Sequence, residues 1–200
     1  MWSKKLDTLL DKAIEYPELR LEIEKKILST YSQKKAFLVS DMCGFSRITH
    51  KLGIFQFMLM IHQMRLLSIP CVKERQGLVI KAEADNLFCL FDGVSSAVYA
   101  AKEIVENLNG TNNILPSEKR LYVSIGIGFG DILNIENTDI FGDEINLACK
   151  LGEDIGEKSQ VLITENAFNH FTSKSSLKKK FKKKHAVASN VKILYYELDL

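Results

Sequence analysis

Residues 79–91 read VIKAEADNLFCLF, and residues 37–49 read FLVSDMCGFSRIT. In the first stretch Lys81, Glu83 and Asp85 stand at alternate positions between two apolar runs. A fully solvated loop is not expected there, so the pattern predicts strands at Leu78–Glu83 and Asn86–Phe91 joined by a tight connection. In the second stretch, an apolar run ends in a carboxylate at Asp41, which suits a buried strand, and Gly44 lets the backbone turn tightly after it. If the two strands are neighbours, Asp85 meets Asp41. Two close carboxylates repel each other unless a cation sits between them. Mg²⁺ typically binds through one or two carboxylates plus substrate phosphates. Plainer readings stand beside this one: Asp41 as a helix N-cap or turn aspartate, and Lys81–Asp85 as a charged surface hairpin.

Further along, residues 138–154 read TDIFGDEINLACKLGED. Asp139 lies in the approach to a helix expected over Glu144–Leu151. Asn146 and Lys150 are spaced i, i+4 and share one face of that helix. An amide and a cation on one face can hold a triphosphate; a capped helix with a solvated polar face explains them equally.

The rest of the chain supplies a scaffold. Residues 4–31 have apolar residues at helical spacing interrupted by Pro17, as one or two amphipathic helices outside the main domain. A long helix is expected from about Ser46 to Ser68, before Pro70, and a short strand near Cys71–Glu74. A helix is expected over Ser95–Leu108, ended by Asn109-Gly110, and then a polar loop to Ser117. Strands are expected at Leu121–Leu133, Val161–Thr164 and Val191–Leu198, with a short helix at Glu165–Phe171. The irregular alternation favours a mixed sheet with packed helices, an α+β or α/β sandwich.

Bulk properties exclude several classes. The chain has 200 residues, 46% hydrophobic and 26% charged, with a formal charge of +2. That fits one soluble globular domain with a short extension and names no nucleic-acid partner. Cys43, Cys71, Cys89 and Cys149 form no CxxC pair and read as free thiols in a reducing, cytoplasmic setting. The N-terminus lacks a signal-peptide core, and no window approaches the roughly 20 apolar residues of a membrane span, so no stable membrane insertion is expected. The four histidines, His50, His62, His170 and His185, are scattered. Met58, Met60 and Met64 read as packing. The run Lys178–His185, KKKFKKKH, reads as a solvated loop or edge strand; an anionic membrane surface or a triphosphate is the other reading.

Taken in order, the segments FLVSDMCGFSRIT, VIKAEADNLFCLF, VSIGIGFGDIL (123–133) and DIFGDEINLACKL (139–151) resemble the motifs of class III adenylate and guanylate cyclase catalytic domains. The resemblance covers about residues 35–198. It implies a mixed, mainly antiparallel sheet with a ferredoxin-like palm core and flanking helices, over residues 34–200, with 1–33 as a helical extension. It implies that Asp41 and Asp85 hold two Mg²⁺ or Mn²⁺ ions and that Lys81 and Asp139 read the purine edge. It further implies that Gly44 and Phe45 contact substrate, that Asn146 orients the ribose or phosphate region, and that Lys150 stabilises the transition state. The implied activity is adenylate cyclase: ATP to cyclic AMP and pyrophosphate, at sites shared between the subunits of a homodimer. Three positions depart from the pattern. Lys150 stands where an arginine is usual, Ala84 where a glycine is usual, and only Ile132–Thr138 separate Asp131 from Asp139, a shorter hairpin than usual. These departures leave an alternative, a degenerate module that binds nucleotide or dimerises without turnover. A diguanylate cyclase is disfavoured because no GG(D/E)EF sequence is present.

Overall fold

In the computed structural model, which describes residues 3–172, 175–188 and 191–200 without the side chains of 45–48 and 191, residues 36–40 form the middle of strand β1 (Ser32–Met42). Their near-total burial follows from sheet position. β1 lies between β3 (Asn86–Phe91) and β4 (Val123–Ile135), antiparallel to both, with helices on each face. Alternate side chains point to opposite faces, so a strand covered on both sides reads as an unbroken apolar run. Ala36 and Leu38 join the larger core with Phe57, Met60 and Met64 of α4 (Ile54–Glu74) and Val98, Ala101, Ile104 and Leu108 of α5 (Val94–Asn112). Phe37 and Val39 point the other way, packing with Ile132, Ile140 and with Ile145 and Ala148 of α6 (Asp143–Cys149). Each fully buried Leu, Ile or Phe contributes about 1.5–3 kcal/mol, so these two layers clamp β1 from both sides.

The sheet order is β2-β3-β1-β4-β6-β8-β7, where β2 is Leu78–Glu83, β6 Val161–Thr164, β7 Phe181–Ala188 and β8 Val191–Leu198; β5 (Asp139–Phe141) pairs with the far end of β4. Only β4–β6 is parallel among these pairings. This is the mixed, mainly antiparallel sheet with flanking helices that was expected. The lysine run resolves into a 3₁₀ turn, Ser176–Lys180, and the edge strand β7. There Lys182 pairs with Asp199 at 2.8 Å and Lys184 pairs with Glu197. Lysines on an edge discourage pairing with another sheet.

At the N-terminus, α1 (Lys4–Glu15) and α2 (Arg20–Tyr31) flank a 3₁₀ turn at Pro17–Leu19. The Ser3 hydroxyl caps α1 by accepting from the Leu6 amide. Leu6, Leu10, Ile27 and Tyr31 pack on Leu133 and Ile135, docking the pair against the far end of β4.

Four expectations need correction. The helix expected from Ser46 to Ser68 is two, α3 (Phe45–Leu52) and α4, broken at Gly53, whose φ of 82° an L-residue rarely adopts. α4 then runs through Pro70 instead of stopping before it. The proline removes the donor for the Leu66 carbonyl, but Leu66 and Pro70 both face solvent, where water replaces the lost bond. Residues Cys71–Glu74 are consequently the last helical turn, not a strand. Finally, α5 passes Asn109-Gly110 and ends at Asn112. The buried Asn112 amide there donates to the Leu121 carbonyl and accepts from its amide, both at 2.7 Å. Two such bonds outweigh a helical glycine's cost of about 1 kcal/mol.

By length and composition α4 matches a membrane span. One of its faces is nevertheless core, through Phe57, Met60, Met64, Ser68, Cys71 and Val72, while Phe55 (71% exposed) and Met58 (60%) lie on the opposite side. Met58 therefore does not share the core packing of Met60 and Met64.

Candidate active site

The pairing of Ser40 with Leu87 carries the C-terminal end of β1 to the β2–β3 turn. Asp41 ends half-buried within electrostatic reach of Asp85. Burial first, then the charges of Asp85 and Glu153, push its carboxyl from 3.8 up to about 7. Glu153 is raised in turn, by its own burial and then by Asp154 and Asp85. Asp41, Cys43, Gly44, Ser124 and Glu153 line part of a cavity of about 480 Å³. Beside it, the buried Oδ1 of Asn86 has no hydrogen-bond partner.

This donor set fits divalent cations. The carboxylates repel one another, and an orphaned amide oxygen stands next to Asp85. Among the described residues no three His, Cys, Asp or Glu side chains converge into a ready-made metal cluster. One or two carboxylates can hold an ion whose remaining positions are taken by water and phosphate. Gly44, at φ 90°, makes the turn out of β1 into α3; the reading of Phe45 as a substrate contact concerns a side chain outside the described residues.

The second pair of expected site residues also meets. Lys81 Nζ donates to Asp139 Oδ1 at 3.0 Å, joining β2 to β5. Burial alone would lower the lysine, but the hydrogen bond and charge of Asp139, with Glu83, hold it above its ordinary value. Glu83 lies at 3.7 Å, so Asp139 is the nearer partner. Lys81 also stands 5.1 Å above the Phe88 ring, whose face favours a cation. The Asp139 oxygen additionally accepts from the Ile140 amide at 2.9 Å. Its strand is placed by the short hairpin noted in the sequence. Glu136 and Asn137 both take positive φ, and the Thr138 amide donates to the Ile135 carbonyl at 2.9 Å. Two positive φ angles at the centre of this turn match the right-handed twist of the strands it joins.

Asn146 is exposed on α6, and Lys150 is half-buried one turn later. Here the helix widens into a π turn, Lys150–Ile155, which carries both Lys150 and Glu153. Its position depends on Gly126 of β4. A Cβ there would lie 2.0 Å from the Ala148 carbonyl oxygen and 2.7 Å from the Gly152 nitrogen, so only glycine lets α6 come this close.

Glu153 and Arg65 were not singled out by sequence. Glu153 reaches the Asp41 cavity from the π turn, and local periodicity carries no sign of such a turn. Arg65 lies on α4, twenty residues before Asp85. Its Nη2 donates to the carbonyls of Ala82 at 3.0 Å and Ala84 at 2.7 Å. Ala84, the residue standing where a glycine is usual, takes φ 46°, a conformation costing an L-residue about 1–2 kcal/mol.

No family model matches the chain. Over 142 residues, 71% of this chain and 24% of the other, it is 25% identical to "Putative adenylate cyclase 3" of Rhizobium meliloti (strain 1021). The chain thus spans about a quarter of the length of that relative. An adenylate/guanylate cyclase/hydrolase from Silicibacter pomeroyi superposes with a TM-score of 0.71 at 25% identity, over 84% of this chain and 96% of that one. The guanylate cyclase domain of RhGC from Catenaria anguillulae, solved with GTP, gives 0.63 at 16% identity over 84% and 96%, a likeness of fold alone. Sequence and fold likenesses together support a class III adenylate/guanylate cyclase domain.

Proposed function

We propose that this domain converts ATP to cyclic AMP and pyrophosphate at sites shared between two copies of the chain. The observation that carries the reading is the coincidence of two pairs: the crowded carboxylates Asp41 and Asp85, and the Lys81–Asp139 contact at 3.0 Å. Asp41 and Asp85 would hold two Mg²⁺ or Mn²⁺ ions. When bound, such ions lower the pKa of the attacking 3′-hydroxyl and neutralise the triphosphate. Lys81 would donate to N1 of adenine while Asp139 accepts from the exocyclic amine. Asn146 would orient the ribose, and Lys150 would donate to the phosphate oxygens as charge builds up on them. With the metal pair of one subunit facing the base pair and α6 of the other, a homodimer has two equivalent sites. Residues 1–33 are an extension outside this chemistry.

The test is direct: purified protein, ATP, and Mn²⁺ or Mg²⁺, with cyclic AMP as the readout and GTP in parallel. The expected result is cyclic AMP from a dimeric protein. No cyclic product from a demonstrated dimer with either metal sinks the reading.

A further inference from the structure

We infer that Arg65 is a positioning residue for the proposed site, locking the backbone between the base-reading lysine and the metal-binding aspartate. The inference rests on the cyclase reading and adds a residue to it. Ala82 directly follows Lys81, and Ala84 directly precedes Asp85. One nitrogen, Arg65 Nη2, donates to the carbonyls of these two alanines, at 3.0 and 2.7 Å. The clamp comes from α4, a helix anchored in the core by Met60, Met64 and Ser68 on either side of Arg65. The turn is thus held from a rigid element and not only by its own hairpin.

The hairpin needs such an anchor. Ala84 sits at φ 46°, where an L-residue is strained, and a strained turn relaxes unless its surroundings over-determine it. Relaxation here would swing Asp85 away from Asp41, since Ala84 and Asp85 are consecutive in the turn. The guanidinium also spends more on this contact than packing requires. Its Nε is buried without a hydrogen-bond partner, a cost tolerated where the rest of the group is held in a fixed place. Lysine at 65 has the charge but lacks the planar group that directs one nitrogen at two carbonyls.

Arg65→Ala, Arg65→Lys and Arg65→Ala/Ala84→Gly test this, with Asp85→Asn as the metal-ligand control. The metal-free proteins are compared by amide hydrogen exchange, then titrated with Mn²⁺ by calorimetry, then assayed with ATP. In Arg65→Ala, exchange should accelerate across residues 78–91 and not across β4 or α5. The Mn²⁺ dissociation constant should rise about tenfold, the scale of losing a group that orients a ligand. Arg65→Lys should fall between wild type and Arg65→Ala, and keeps the test open if the alanine variant does not fold. Adding Ala84→Gly should recover part of the Mn²⁺ affinity, because glycine holds φ 46° without strain. A chain-wide rise in exchange with unchanged Mn²⁺ affinity would mean a merely structural role and overturns the inference. So does an active wild type that Arg65→Ala matches in both exchange and affinity. A wild type that neither binds Mn²⁺ nor forms cyclic product overturns the functional reading, and this inference with it.

Discussion

Lys81 Nζ and Asp139 Oδ1 meet at 3.0 Å although 58 positions separate them, because the short strand β5, paired with β4, also packs against β2. A donor and an acceptor are thereby held side by side. Adenine offers the complementary neighbours, the N1 acceptor and the amine donor.

Base preference follows from that pair. Guanine would set its O6 against Asp139 and its N1–H against Lys81, leaving each group facing its own kind, at roughly 1–3 kcal/mol per unpaired group. The expected preference for ATP over GTP is at least about tenfold in kcat/KM. Replacing Lys81 with Glu and Asp139 with Cys together should move it toward GTP. Competition assays with both nucleotides decide the point; equal use by the unmodified protein would show that these residues do not read the base.

If Asp41 holds a metal ion as proposed, its charge links metal binding to stability. Its folded value of about 7 lies above the ordinary 3.8, so the fold disfavours the charged form. Below pH 3.8 this has no effect; the destabilisation grows as pH rises from 3.8 and is complete above 7. In EDTA, Asp41→Asn should therefore be more stable than wild type at pH 8, by about 1–2 kcal/mol after discounting for solvent screening. The gain should shrink at pH 5. Mn²⁺ should raise the Tm of wild type and not of the variant, and turnover should vanish in Asp41→Asn and Asp85→Asn alike. Melting curves at the two pH values, with and without Mn²⁺, check the sign.

Lys150 is expected to act late in the reaction. Lys150→Ala should lower kcat about 100-fold with little change in KM, the behaviour of a group that strengthens its contact as charge develops. Lys150→Arg should raise kcat, because the planar fork reaches two phosphate oxygens at once. Steady-state kinetics that show a change in KM alone would assign Lys150 to ground-state binding.

Gly126→Ala should disturb the site from beneath. The added methyl would meet the backbone of Ala148 and Gly152, so α6 and the π turn must move outward. Overpacking of this kind costs about 1–3 kcal/mol, measurable as a lower urea midpoint with an unchanged slope. Activity should fall further than stability alone accounts for, since Asn146 and Lys150 travel with the helix. A variant of normal activity would show that the α6 position is not critical.

What the sequence determined by itself is the set of elements and the chemical groups they carry. Residues 36–39 and 87–91 are apolar because the central strands are covered on both faces, and that requirement acts residue by residue along the chain. The same holds for Gly44, where a sharp exit from β1 needs φ 90°. Tertiary structure decided everything that depends on distant segments meeting. The passage through Pro70 turned on which carbonyls face water, and Glu153 came to line the Asp41 cavity from a π turn seated on Gly126. Arg65 reached the hairpin across seventeen and nineteen residues because α4 packs over it. Local periodicity reports whether a residue is buried; it carries no information about which buried surface lies opposite, and the geometry of this site is set by that pairing.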